Sequence, residues 1–198
     1  IQDPVFVAEV APAASSFWNG DYNARALSSL ATQHSFRFVD WFVFDYPMWR
    51  SKKRIIEIFA EKEGPQLSES QREMLADWMG ALMSLYRVQE ITPDGRLRLV
   101  DLLRDGEGET PVADDGLSGV ADAGDLIIAR ILKTGEEMRF SPGLALLPPT
   151  SESGILEFIE RAWRSYQEAH YQADIGDFLR DSSYLFNHYL LQEALVSE

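Results

Sequence analysis

Chemistry has few places to start in this chain. Two carboxylates, Asp40 and Asp45, stand among six aromatic residues between Phe36 and Tyr46. Rings beside acids can form a groove that selects a cationic or hydroxylated group, so Phe38, Asp40, Trp41, Asp45 and Tyr46 make a candidate ligand groove. The plainer account is a core helix, because large aromatics bury well and acids at its margins cap it or face water. Four basic residues, Arg50, Lys52, Lys53 and Arg54, precede or open the next helical pattern. Positive charge is unfavourable there by about a few tenths of a kcal/mol each. They form a candidate anion-binding corner, where cations and free helix amides would hold a phosphate or a nucleic-acid backbone. A solvated helix start, paired with nearby carboxylates, competes with that reading.

No catalytic set emerges, and no cofactor or metal site is assigned. His34, His170 and His188 lie far apart in sequence. Only a loose His170, Asp174, Asp177 grouping approaches ligand spacing, and a surface charge cluster accounts for it. There is no G-x-S-x-G elbow and no glycine-rich phosphate loop. The acidic turns Asp105 to Glu109 and Asp114-Asp115-Gly116 do not follow the EF-hand register. An enzyme survives as a reading only if carboxylates such as Asp40, Asp45 or Asp101 converge in space.

Composition narrows the partners. The 198 residues carry 18 Lys plus Arg against 32 Asp plus Glu, a net charge of −14. Such a surface repels a phosphate backbone or an anionic membrane over most of its area, so nucleic acid is disfavoured and a protein or peptide partner is expected. Residues 151–198 are the most acidic stretch, with three basic and nine acidic side chains. The absence of cysteine removes disulfides and thiolate sites, and with no Asn-x-Ser/Thr acceptor a cytoplasmic setting is the default. No apolar run approaches the length of a spanning helix. The start at Ile1 rather than Met suggests an excised domain or a processed chain.

The elements that must position these residues follow from periodicity. Residues 1–16, small and apolar with two prolines, are expected to lie extended. Asn23 can cap a helix from Ala24 to Gln33. The aromatic segment fits either a period of two or one helical face, and helix is preferred. Lys52 to Glu63 reads as a helix stopped by Gly64-Pro65. Ser68 and Gln71 form a capping box before Met74, Leu75, Trp78, Met79, Leu82 and Met83 at helical spacing. From Leu85 the period becomes two, through Leu97, Leu99 and Leu103, with Pro93-Asp94-Gly95 as a hairpin turn. Further strands are expected at Thr110–Ala113, Asp125–Leu132, Glu137–Phe140 and Leu144–Leu147. After Pro148-Pro149 come a helix through Tyr166 and another from Ile175 to Leu195.

The expected fold is therefore α+β, with helices flanking a small antiparallel β-barrel-like unit of the SH3-like or OB-like kind. Residues 1–84 form a helical segment, 85–148 the barrel unit and 149–198 a helical pair, packed as one body.

Several stretches, taken in order, carry a resemblance. They include Phe17-Trp-Asn-Gly-Asp-Tyr22, Phe38-Val-Asp-Trp-Phe-Val-Phe-Asp-Tyr46, Leu67 to Leu75, Leu85-Tyr-Arg-Val88, Leu97 to Leu103 and Gly124-Asp-Leu-Ile-Ile-Ala-Arg130. Together the chain resembles an uncharacterised region of bacterial SEC-C-motif proteins, whose chains end in a cysteine-rich zinc motif. The match would span residues 17–150. It implies no enzymatic activity, and without cysteine no zinc site carries over. Function is thus expected to be a non-enzymatic interaction or binding domain. The alternative is an accessory nucleic-acid module using Arg50 to Arg54.

Overall fold

The computed structural model describes residues 4–20, 32–104, 110–114 and 116–196. Helices α1 (Pro4–Phe17), α2 (Thr32–Phe44), α3 (Ile55–Glu63) and α4 (Glu69–Gly80) precede strands β1 (Met83–Ile91), β2 (Arg96–Asp101), β3 (Thr110–Ala113), β4 (Leu126–Thr134), β5 (Glu137–Phe140) and β6 (Ala145–Leu147). Helices α5 (Glu152–Ala169), α6 (Ile175–Ser182) and α7 (Tyr184–Val196) follow.

The first segment is helical, not extended. Pro4 sits at the start of α1, where its missing N–H is no loss, and only Pro12 interrupts the interior. The cost of Pro12 is offset because Ala13, Ala14 and Phe17 recur at helical spacing and are buried. The aromatic segment is α2, as its helical face predicts: Phe38, Trp41 and Phe42 are buried together while Phe36 and Val39 are exposed. The expected helix from Ala24 lies mostly outside the described residues. Ser68 caps α4, accepting from the Gln71 amide while Gln71 reaches back to the Ser68 amide.

Five strands close into a barrel in the order β1-β2-β3-β5-β4, with β4 pairing back to β1 and β6 pairing with Leu126–Ile128 of β4. The β3–β5 closure is parallel, at Ala113 against Arg139, and the other pairings are antiparallel. A meander does not give this order; it is the OB-type order of the two expected kinds. The Pro93-Asp94-Gly95 turn joins β1 to β2, with Gly95 at φ +80°, where glycine has no Cβ to clash.

Strands β1 and β4 are buried on both faces, so neither alternates cleanly in hydropathy. Tyr86, Val88, Ile127 and Ala129 point into the barrel with Leu97, Leu99 and Val112. Met83, Leu85, Leu126 and Ile128 point outward against Ile155, Ile159, Phe178, Leu179 and Phe186 of the C-terminal helices. Each such aliphatic contributes about 1.5–3 kcal/mol of burial, so the barrel's outer face depends on its helical cover. A third cluster joins α1, α2 and α7 through Phe17, Trp18, Phe38, Trp41, Tyr184 and Leu191.

The expected single helix from Ile175 is two helices, broken at Ser183. No proline or glycine marks the break. Ser183 is buried there, and its hydroxyl is used elsewhere in the core.

Candidate functional site

Period two along β4 places Arg130 on the same outward face as Leu126 and Ile128, so its guanidinium enters the layer between barrel and helices. It has no exposed surface. Its Nη2 donates to Asp45 Oδ2 at 2.5 Å, its Nε to Asp40 Oδ2 at 3.3 Å and its Nη1 to the Ala81 carbonyl at 2.5 Å. The Phe44 ring lies 4.6 Å from the guanidinium carbon. Ser183 Oγ donates to Asp45 Oδ2 at 2.6 Å, and Ser141 Oγ donates to Asp40 Oδ1. Every acceptor that the Arg130 guanidinium touches comes from a helix or its end.

Two more arginines meet the same helix terminus. Arg54 Nη1 donates to the Met79 carbonyl and to the Phe44 carbonyl, each at 3.2 Å. Arg180 donates to the carbonyls of Met79 and Gly80, at 3.3 and 3.2 Å. The carbonyls of Met79, Gly80 and the C-cap Ala81, which no intrahelical amide reaches, are therefore taken by cations from the N-cap of α3, from β4 and from α6, and the helix dipole favours positive charge there. Glu57 closes the group by accepting from Arg54 Nη2 at 2.9 Å, and this bond holds its carboxyl below the ordinary range.

Electrostatics within this hub are uneven. Burial pushes the Asp45 carboxyl above its usual range, against the pull of Arg130 and of the Ser183 hydroxyl. For Arg130 desolvation acts the other way, and the two carboxylates outweigh it, so its pKa is raised. Asp40 and Asp45 thus do converge, but on Arg130 inside the core. The cavity beside them, lined by Arg37, Gly143, Ser183 and Asn187, measures about 20 Å³. That is room for about one water and not for a substrate.

The candidate ligand groove is accounted for by these contacts. Phe38 and Trp41 are buried in the aromatic cluster, and Asp40 and Asp45 are in the hub. Tyr46 is half-buried; its hydroxyl donates to Glu9 Oε2 at 3.1 Å, and burial with that glutamate pushes its pKa up to about 12.

The structure divides the candidate anion corner. Arg54 is part of the hub, and Lys53 pairs with Glu61. Among the described residues Arg50 and Lys52 hold no carboxylate, and both are exposed. Lys52 has φ +57°, a left-handed conformation that lysine rarely adopts, and its ammonium lies 4.1 Å over the Trp49 ring. Trp49 is 73% exposed, although its turn is pinned by buried Met48 and by Glu9 Oε2, which accepts from the Trp49 amide at 3.2 Å. A firmly held turn therefore presents to solvent an indole with the Lys52 ammonium over it and, beside them, Arg50.

Three other surfaces carry polar or apolar side chains in groups. The barrel end holds a hollow of about 340 Å³ lined by Asp77, Tyr86, Arg104, Thr110 and Lys133. Its cations are matched, Arg104 by Asp101 at 2.7 Å and Lys133 by Asp77 at 3.8 Å. On the outer barrel wall Arg96, Arg98 and Arg139 face Asp94, Glu90 and Glu137. Strands β2 and β3 contain no aromatic residue on which a base could stack. The third surface is an open groove of about 610 Å³ lined by Leu102, Leu103, Leu156, Ile159, Glu160, Trp163 and Ile175. Leu103, expected in a strand, lies here because β2 ends at Asp101, whose Oδ1 accepts from Ser84 and from the Leu103 and Arg104 amides.

Among the described residues no group of three His, Cys, Asp or Glu side chains could hold a metal, and no helix is long and apolar enough to cross a membrane. The acidic turn 105–109 lies outside the described residues. The molecule defined by these features is a helix-covered, OB-type barrel domain centred on a buried arginine. By sequence the chain belongs to a family of unknown function, DUF7986, whose profile matches residues 26–174. That span contains Asp40, Asp45, Arg54 and Arg130 but stops before Arg180 and Ser183. No curated protein and no solved structure matches the chain.

Proposed function

We propose that this protein is a non-enzymatic interaction domain that docks a protein segment in the groove between the end of β2 and helices α5 and α6. The observation that carries the reading is an open groove lined by six apolar side chains, Leu102, Leu103, Leu156, Ile159, Trp163 and Ile175, at the margin of the main core. Apolar side chains converging on an open groove suit the docking of an apolar segment. The carboxylates that could do acid-base work are meanwhile engaged in the hub. A photo-crosslinking residue in place of Leu103 tests the proposal: an adduct with a protein partner supports it, and a groove that labels nothing in host extract ends it.

A second reading has its own observation. Trp49, 73% exposed, offers the indole face away from Lys52 for stacking, with Arg50 and Lys52 beside it and no carboxylate paired to either among the described residues, the elements of a weak single-strand contact. Salt-sensitive binding of single strands that is lost on changing Lys52 and Lys53 to Glu would support it; no binding at low salt would remove it. The resemblance to SEC-C-motif chains adds the expectation that family members carry a cysteine-rich tail, which gene sequences test directly.

A further inference from the structure

The barrel is closed unevenly. Met83–Arg87 of β1 pairs with Leu126–Arg130 of β4, Arg96–Leu99 of β2 with Thr110–Ala113 of β3, and Ile131–Thr134 of β4 with Glu137–Phe140 of β5, all antiparallel. Between β3 and β5 the ladder shrinks to one parallel pair, Ala113 with Arg139. A seam with so few backbone bonds is where local opening costs least. The sequence of β3 suits this place in the sheet, because Pro111 has no N–H to give to a ladder and fits a strand near an edge. Side chains follow the same gradient. Inside the barrel Leu97, Leu99, Val112, Ile127 and Ala129 are fully buried, whereas Met138 and Phe140 of β5 are only partly covered. Outside, Arg96, Ala113 and Arg139 form one row across β2, β3 and β5. The small Ala113 lets Arg96 reach over the seam, where its Nη2 lies 3.8 Å from Glu137 Oε1 and both side chains are half-exposed. Such a pair is weak and is screened by salt. The hollow of about 340 Å³ at the barrel end takes Thr110 from one lip of the seam and Met138 from the other, so its width follows the seam.

From these observations we infer that the β3–β5 seam is a clasp. It opens within the folded protein about the β1–β4 ladder, is latched on the outside by Arg96 and Glu137, and gives access from the hollow to the barrel interior. The helices stay in place during this motion, because they pack on the outward side chains of β1 and β4, Met83, Leu85, Leu126 and Ile128. Neither strand of the seam lines the docking groove, so the clasp stands or falls apart from the interaction-domain reading.

Thiol labelling of the full chain tests this. The sequence has no cysteine, so one introduced thiol reports alone. Val112→Cys puts it, fully buried, on the inner side of the seam, and Leu97→Cys, at its partner position on β2, is a second reporter should the first not fold. Leu126→Cys puts it under the helices as the control. Urea unfolding of each variant sets the labelling rate that global unfolding alone allows. Val112→Cys is expected to react at least about tenfold faster than that limit, and Leu126→Cys at the limit. Adding Glu137→Gln, or raising the salt to about 0.5 M, should speed the labelling of Val112→Cys about two- to fivefold and leave Leu126→Cys at its limit. Seam thiols that react no faster than global unfolding allows overturn the inference. Fast labelling that ignores both Glu137→Gln and salt overturns the latch.

Discussion

At the scale of single residues, Arg130 carries the most. Removing its charge leaves Asp40 and Asp45 facing each other without a cation, so Arg130→Leu should cost about 3–5 kcal/mol in urea unfolding. Arg130→Lys should recover only part of this, because a single ammonium cannot span both carboxylates and the Ala81 carbonyl as a planar fork does. Asp45 gives a separate prediction. Its folded pKa lies above its unfolded value, so the folded state holds that proton more tightly, and the ionised form is a liability at neutral pH. As pH falls through the raised value the liability is relieved. The stability of the parent minus that of Asp45→Asn should therefore grow from neutral toward acid pH, and a flat difference would contradict the assignment.

Elements depend on one close approach. A Cβ on Gly143, in the loop between β5 and β6, would lie 2.5 Å from Asp40 Cβ and 3.2 Å from the Phe36 carbonyl. Gly143→Ala must push α2 away from the β5–β6 loop, and we expect about 1–3 kcal/mol of destabilisation by thermal melting. Ser68→Ala, which removes the cap of α4 but touches nothing in the hub, should cost about 1 kcal/mol and serve as the reference. The contrast between these sites explains what could be read from sequence. Ser68 with Gln71, Pro93-Asp94-Gly95, and the bounds of β3 and β5 are settled by neighbours within a few positions, so they were legible. Asp40 and Asp45 looked like a groove because their partner lies 85 to 90 positions away. Arg130 sat in an apolar strand with nothing local to say that its charge was internal. Pro12 misled in the other direction, since its local penalty is overridden by packing against residues near the far end of the chain.

For the whole molecule, the hub and the shared outer core make the expected divisions at residues 84 and 148 run through continuous packing. Strand β1 opens at Met83, and the barrel's outward side chains are completed by α5, α6 and α7. Heat or urea should therefore unfold the chain in one transition, with tryptophan fluorescence and far-ultraviolet dichroism coinciding. A barrel fragment spanning residues 83–148 should fail to hold this state, because Leu85, Leu126 and Ile128 would face water. Separate transitions for the two probes would show that the helices and the barrel are independent.

The hub also has a consequence in time. Arg130 meets Asp45 and Asp40 across 85 and 90 positions, and Ser183 meets Asp45 across 138. During synthesis the aromatic helix α2 leaves the ribosome long before the strand that neutralises its two acids, and longer still before the helix that covers its rings. A nascent chain holds Phe38, Trp41 and Phe42 against α1 without the cover of Tyr184 and Leu191 until α7 is made, so this cluster is among the last parts of the core to close.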